Sequence, residues 1–260
     1  MSSISIITIC FNNKSDLITS CTSIDKQTIK PLEHIIINGS TNDEIKKYLD
    51  NTSHPDYRKW ISEPDKGIAD AFNKGIILAK GDILTMLNSG DTLYNNEVLK
   101  VVADTFLTHH EITWLHGKYE LIRGNTPVII GKPFEKSKLY RGMRSVSHQT
   151  MFVMKSLHQK YGLYAENEKI AMDYDFLCRI ANEPFVFLSH PLITFAPSGI
   201  SSRLYLQSLK EAKRVYEKYF GKNFYLFFWQ VRLKILYHLL HSPFGNFLYK
   251  IKVKLKLENL

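Results

Sequence analysis

Through the first 94 residues, short apolar runs that end in small polar clusters alternate with stretches of helical periodicity. Ile4–Cys10 (I-S-I-I-T-I-C) reads as a buried strand that stops at Phe11-Asn12-Asn13, and a helix is predicted from about Lys14 to Ile24. Residues 33–37 (E-H-I-I-I) repeat the pattern, closing on the turn-rich Asn38-Gly39-Ser40-Thr41-Asn42 before a helix that runs to about Asp50. From Trp60 the order is strand, acidic turn, helix and strand. Ile68, Ala71, Phe72, Gly75, Leu78 and Ala79 share one helical face, and the second strand stops at the polar knuckle Asn88-Ser89-Gly90-Asp91. Alternation at this pace predicts a mostly parallel, Rossmann-like sheet with right-handed crossovers and flanking helices, an α/β fold. Open sheets of that kind bind ligands at the carboxyl ends of their strands. No G-x-G-x-x-G fingerprint is present, so binding is expected to rest on strand-end side chains.

The second half is less regular. A helix is predicted over Glu97–Phe106, with strands near Ile112–Gly117, Tyr119–Arg123 and Val128–Ile130. Residues 132–147 are basic and irregular, as a mobile loop over a site would be, and His148-Gln149 then leads into a strand. Ile170–Ala181 reads as a helix with Asp173 and Asp175 in its early turns. Two further helical patterns follow. Leu209, Ala212, Tyr216, Tyr219 and Phe220 share a face of the first; Phe224, Phe227, Phe228, Val231, Ile235 and Leu239 share a face of the second. The chain closes on the alternating run Lys250–Leu257.

At 260 residues, 44% hydrophobic, the chain suits one α/β domain with an appendage. Its net charge of +9 changes the picture only at the end. Residues 1–199 hold 22 basic and 22 acidic side chains, whereas residues 200–260 hold 12 and 3. A neutral body with a basic amphipathic tail points to an anionic surface as partner rather than to an anionic active site. The alternatives are that the tail covers the body or a second copy in a homo-oligomer; no nucleic-acid motif accompanies it. Three cysteines without C-x-x-C spacing argue against a disulfide framework or a zinc site and fit a reducing cytoplasm. The first residues lack a signal-peptide pattern, and no apolar stretch reaches the roughly 18 residues of a membrane span.

The block W-I-S-E-P-D-K-G-I-A-D-A-F-N-K-G-I-I-L-A-K-G-D-I-L-T-M-L-N-S-G-D (Trp60–Asp91) resembles the central block of family 2 bacterial glycosyltransferases of the colanic-acid, O-antigen and capsule type. There, E-P-D-x-G-I-x-D-A-x-N-K-G-I precedes a strand ending in N-S-G-D or a close variant. I-A-M-D-Y-D-F-L-C-R (Ile170–Arg179) is similar to the family's I-A-x-D-Y-D-L-x-L-R, and Gly199-Ile200-Ser201 echoes a G-G-x-S element. The resemblance covers residues 1–203 and implies a GT-A fold, with a nucleotide-binding half over 1–94, an acceptor-binding half over 95–203, and the tail 204–260 outside it.

It further implies inverting transfer of a sugar from a nucleoside-diphosphate sugar, UDP favoured, to a hydroxyl of a lipid-linked saccharide. The expected setting is surface-polysaccharide synthesis on the cytoplasmic face of a bacterial membrane. Donor-binding positions carried over are Thr8, Phe11, Asn12, Asn38, Asp65, Asn88, Ser89 and Gly90, with Asp91 as ligand of a Mn2+ or Mg2+ ion on the diphosphate. Asp173 is the expected catalytic base, and His148 and Gln149 the pair near donor and acceptor. Each has a plainer reading. Asp91 or Thr92 can cap the next helix, Asp65 can cap the helix after it, and Asn38 suits a turn. Asp173 and Asp175 are both acids favoured at a helix start. Departures matter too: Asn38 stands where an Asp is usual, and Met172 where other branches have Glu. Two rivals remain at this stage. A sugar-nucleotide nucleotidylyltransferase would need a glycine- and arginine-bearing loop after the first strand, which Cys10–Asn13 is not. A non-catalytic scaffold of an assembly complex is the other.

Overall fold

The computed structural model describes residues 3–123, 126–196, 204–242 and Gly245. The Gly199–Ser201 element and the Lys250–Leu257 run lie outside the described residues. In chain order the elements are β1 (Ile4–Cys10), α1 (Lys14–Asp25), β2 (Glu33–Asn38), α2 (Glu44–Asn51), β3 (Arg58–Ser62), α3 (Ile68–Leu78), β4 (Ile83–Met86), β5 (Thr92–Leu93) and α4 (Val98–Thr108). They continue with β6 (Trp114–Arg123), β7 (Thr126–Ile130), β8 (Phe152–Met154), α5 (Lys155–Tyr161), α6 (Met172–Arg179), β9 (Phe185–Phe195), α7 (Tyr205–Phe220) and α8 (Phe224–Leu240). Short 3-10 turns at Lys136–Arg141 and His148–Thr150 break the basic stretch that the sequence leaves irregular.

The strands form one nine-stranded sheet in the order β3-β2-β1-β4-β8-β6-β9-β5, with β7 beside β6. β3, β2, β1 and β4 are parallel neighbours; β6 and β9 are a second parallel pair, while β5, β7 and β8 run against their partners. The order turns back on itself at β1, where the next strand after β3 crosses to β1's other side. That switch point leaves a crevice beyond the carboxyl ends of β1 and β4.

Successive residues of β1 serve opposite faces, as a fully covered strand requires. Ile7 packs with Ile35, Leu84, Phe72 and Ile76 under α3, whereas Ile6 packs with Ile24, Ile83, Val102 and Phe106 against α1 and α4. Gly75 lets α3 lie close on the sheet, because a β-carbon there would stand 2.3 Å from Ile7. The two strands expected near 112–123 are one, β6, with an irregularity at Gly117–Lys118. Its length is what brings β7, β8 and β9 together.

The described part of the tail packs on the body. Glu211 of α7 accepts hydrogen bonds from the backbone N–H groups of Ile170 (2.7 Å) and Ala171 (3.1 Å), at the entry to α6. Arg214 grips buried Glu168 through two contacts of 3.1 and 2.6 Å. Asp175, fully buried, pairs with Arg179 and with Lys218 of α7, both at 3.0 Å. In α8, Leu226, Gln230 and Leu233 are the buried residues, and Gln230 donates to the Leu209 carbonyl. The aromatic face predicted for α8 therefore points outward: Phe224 is 83% exposed and Phe228 65%. Among the described residues no helix is long and apolar enough to cross a membrane. Cys10, Cys21 and Cys178 are free and buried.

Candidate active site

A cavity of about 870 Å3 opens at the β1/β4 switch point. The strand ends deliver Phe11, Asn88, Ser89 and Asp91 to it; the turn before α3 delivers Asp65, the His148–Thr150 turn His148 and Gln149, and the start of α6 Asp173. The knuckle after β4 is set by α1. The Ser20 hydroxyl donates to the Asp91 carbonyl (2.7 Å) and accepts from the Gly90 N–H (2.9 Å). Gly90 has φ +99°, a backbone that L side chains rarely adopt, and a β-carbon there would press on Ala196 at 3.1 Å. Asp91 caps no helix: it leads directly into β5, which pairs with β9.

Asp91 is 5% exposed. One carboxylate oxygen accepts from the Ala196 N–H (2.9 Å) and the other from the Gln149 side chain (3.3 Å). Burial pushes its pKa up, against the pull of the Ala196 N–H, His148, Gln149 and Asn88. A desolvated carboxylate satisfied by neutral donors is poised for a cation. Asp173 accepts from the Tyr174 N–H (2.7 Å) on one oxygen, and its other oxygen stands 3.2 Å from His148 Nδ1. The helix-start role and the cavity position thus coexist in Asp173. His148 Nε2 is buried without a hydrogen-bond partner, and the ring meets Phe72 edge-on at 6.0 Å. Consecutive residues therefore tie the two carboxylates together, His148 to Asp173 and Gln149 to Asp91.

Four expected donor contacts are not brought to the cavity wall. Thr8 is fully buried inside β1, its hydroxyl 2.9 Å from His34 Nε2; alternation along the strand turns Ile9 toward the cavity instead. Asn38, 3% exposed, donates to Ser62 and accepts from the Ser40 N–H, so its amide closes the turn it belongs to. Asn12, at φ +55°, spends its amide on Thr41 and Asn42, clamping the β1 and β2 loops together. Gly90 shapes the knuckle rather than lining the cavity. Asp65 does line it, with one oxygen closing a turn onto the Gly67 N–H (3.0 Å). Met172 lines it too, so the place of a second acid is apolar.

The far wall was not foreseen. Tyr119 and Leu121 of β6 meet Phe195 of β9, with the Tyr119 and Phe195 rings stacked at 4.3 Å. Spacing of two along a predicted strand is the available signal for Tyr119 and Leu121, but the partner strand lies about 70 residues on, beyond any local pattern. Val146 and Met143, from the basic stretch expected to cover the site, do line it.

A mostly parallel sheet with a polar switch-point cavity, two separated carboxylates and an aromatic wall defines a GT-A-type nucleotide-sugar fold. The glycosyl transferase family 2 model matches residues 5–161, and the chain belongs to that family; it is a glycosyltransferase. It is 33% identical over 207 residues to an uncharacterized glycosyltransferase of Mycobacterium tuberculosis, covering 76% of this chain and 77% of the other. A PGL/p-HBAD biosynthesis glycosyltransferase of Mycobacterium bovis is 28% identical over 165 residues, 62% of this chain and 63% of its own. Among solved structures, S. aureus TarS 1-349 in complex with UDP-GlcNAc aligns with TM-score 0.60 at 17% identity, over 97% of this chain and 77% of that one. The mannosyltransferase PcManGT from Pyrobaculum calidifontis, in complex with GDP-Man and Mn2+, aligns with TM-score 0.63 at 14% identity, over 99% and 81%. These likenesses show the GT-A fold.

Proposed function

We propose that the chain is an inverting glycosyltransferase that moves a sugar from a UDP-sugar to a hydroxyl of a lipid-linked saccharide, in bacterial surface-polysaccharide synthesis at the cytoplasmic face of the membrane. The observation that carries this reading is the pair of carboxylates in one cavity, Asp91 at the strand-end knuckle and Asp173 at the start of α6, each contacted by one of the consecutive residues His148 and Gln149. The roles divide by environment. Asp91 faces the diphosphate, where Asn88, Ser89 and Phe11 line the donor side. Asp173 takes the proton of the acceptor hydroxyl as that oxygen attacks the anomeric carbon from the face opposite the leaving group. His148, with Nδ1 3.2 Å from one Asp173 oxygen, flanks the carboxylate and orients it toward the acceptor.

Among the described residues no three His, Cys, Asp or Glu side chains converge into an all-protein metal cage. A Mn2+ or Mg2+ ion on a diphosphate needs only one or two protein carboxylates beside phosphate oxygens, and the desolvated Asp91 fits that demand. When bound, such an ion neutralises the charge of the departing nucleoside diphosphate. TarS in complex with UDP-GlcNAc favours a UDP donor, and PcManGT with GDP-Man and Mn2+ favours a divalent ion. The outward aromatic face of α8 and the basic tail support a membrane-surface setting.

Thermal stabilisation by a panel of UDP-, GDP- and dTDP-sugars, with and without Mn2+, tests the donor. Hydrolysis of the donor in the absence of acceptor tests the chemistry and separates an enzyme from a scaffold. UDP-sugars are expected to stabilise most, and only with the metal present. A protein that no sugar nucleotide stabilises and that hydrolyses none would refute the reading.

A further inference from the structure

A second, cationic recess of about 380 Å3 backs onto the catalytic cavity, lined by Lys132, Lys138, Arg141, Arg144, Trp229 and Arg232 among others. One stretch of chain walls both. Arg141, Gly142, Arg144 and Ser145 face the recess, and Met143, Val146, Ser147 and His148 face the cavity. Arg141, Arg144 and Arg232 each stand 5.2 Å from the Trp229 ring centre. Glu135 is the one carboxylate in the lining, and it pairs with Lys138 at 2.6 Å. Among the described residues no carboxylate pairs with any of the three arginines.

Gathering three guanidinium groups around one ring without counter-charge is unfavourable unless an anion joins them. Their forked donors match phosphate oxygens. The Trp229 Nε1 donor, buried and without a hydrogen-bond partner, adds to the same set. The helix that supplies Trp229 and Arg232 also turns Phe224, Phe227, Phe228 and Ile235 to the outside. A free phosphate ion would use the cations alone. A lipid uses both, its chains against the rings and its phosphate among the arginines.

We propose that this recess binds the phosphate of an anionic membrane lipid. It deepens, and rests on, the reading of the cavity as a glycosyltransferase site with a lipid-linked acceptor. A lipid phosphate held behind the Arg141–Ser145 wall keeps the cavity, with Asp173, at the bilayer surface where such an acceptor resides.

The test is co-flotation of the full chain with phosphatidylcholine vesicles, either plain or containing phosphatidylglycerol or a polyprenyl diphosphate, with inorganic pyrophosphate as soluble competitor. Arg144→Gln/Arg232→Gln is compared with Lys46→Gln/Lys47→Gln, which removes the same charge from exposed positions of α2. The parent is expected to bind vesicles carrying either anionic phosphate lipid and to ignore plain ones, whose phosphate is neutralised by choline. The arginine variant should bind roughly tenfold or more weakly, and the lysine variant about as the parent does. Preference for one phosphate lipid over the other supports the proposal and assigns the source. Equal binding by the arginine variant, equal loss in both variants, or pyrophosphate binding that the arginine variant loses while it keeps vesicle binding overturns it. UDP-induced stabilisation and donor hydrolysis read the catalytic cavity separately and should be the same in all three proteins. Their absence throughout would sink the functional reading and leave the vesicle result to stand by itself.

Discussion

His148 Nδ1 and Asp173 Oδ2 meet at 3.2 Å, joining a turn before β8 to the first turn of α6. The second Asp173 oxygen is fixed by the Tyr174 N–H, so the carboxylate is anchored on one oxygen and faced by the imidazole on the other, in a wall of the cavity. A general base needs that kind of fixed aim more than it needs exposure.

Asp173→Asn keeps the size and the Tyr174 contact but cannot take a proton. Sugar transfer is expected to fall about 10²–10⁴-fold, the usual loss for a positioned base. Affinity for UDP should stay within about twofold, because the donor-side contacts are on other elements. Single-turnover transfer and UDP titration check the two halves separately; unchanged transfer would remove Asp173 from the mechanism.

His148→Gln tests positioning. Gln retains a donor for Asp173 but not the ring that packs on Phe72. Transfer should fall about 10–100-fold, less than on loss of the base itself, with the KM for donor nearly constant. His148→Ala should fall further, and the ordering Gln above Ala in kcat is the signature of a positioning role.

The first four parallel strands and α1 to α3 were legible because each is a local pattern: apolar run, polar stop, helical face. The knuckle and Asp173 were legible through motif resemblance. What local pattern cannot carry is partnership across the chain. Thr8 and Ile9 are adjacent in the same run, and only the pairing of β1 with β2 and β4 decides which faces the cavity. Asn38 and Asn12 look like ligand groups in sequence, yet their amides are consumed, Asn38's by Ser40 of its own turn and Ser62 at the end of β3, Asn12's by Thr41 of the loop after β2. The contacts of the tail are hidden for a related reason. Its charge is visible in sequence, whereas Glu211, Arg214 and Lys218 reveal their partners only once α6 lies beside α7.

Asp91 offers a prediction with a pH sign. Burial raises its pKa, so the folded chain holds this proton more firmly than the unfolded chain does. Between the unfolded and the raised value, stability falls as pH rises, and above the raised value the full cost of the buried charge persists. Asp91→Asn removes that cost while Ala196 keeps an acceptor. Its Tm at neutral pH should match or exceed the parent's, the advantage fading as pH falls through that window. Binding of UDP with Mn2+ should meanwhile weaken at least about tenfold, matching the roughly 1.5–3 kcal/mol of a charge-assisted contact. A variant that binds metal and donor like the parent would reduce the knuckle to a turn.

Glu211 carries the last prediction, because it links α7 of the basic tail to the start of α6. Burial alone would raise its pKa, but Gln207, the Ile170 and Ala171 N–H groups and Arg214 outweigh it, and the net shift is downward. A lowered carboxyl stabilises the fold above its unfolded pKa, and that contribution is lost as pH falls through the lower folded value. Glu211→Ala removes both N–H contacts and should cost about 2–3 kcal/mol, the loss growing smaller in acid. Asp175→Asn, which breaks a buried pairing with Arg179 and Lys218, should cost about 3 kcal/mol or more. Both substitutions act on α6, so both should lower transfer through disorder at Asp173 while UDP binding at the β1/β4 strand ends survives. Denaturant unfolding gives the stability change, and hydrogen exchange at Tyr174, the donor to Asp173, reports the loosening directly. Unchanged protection of that amide in Glu211→Ala would mean that α6 keeps its start without the tail.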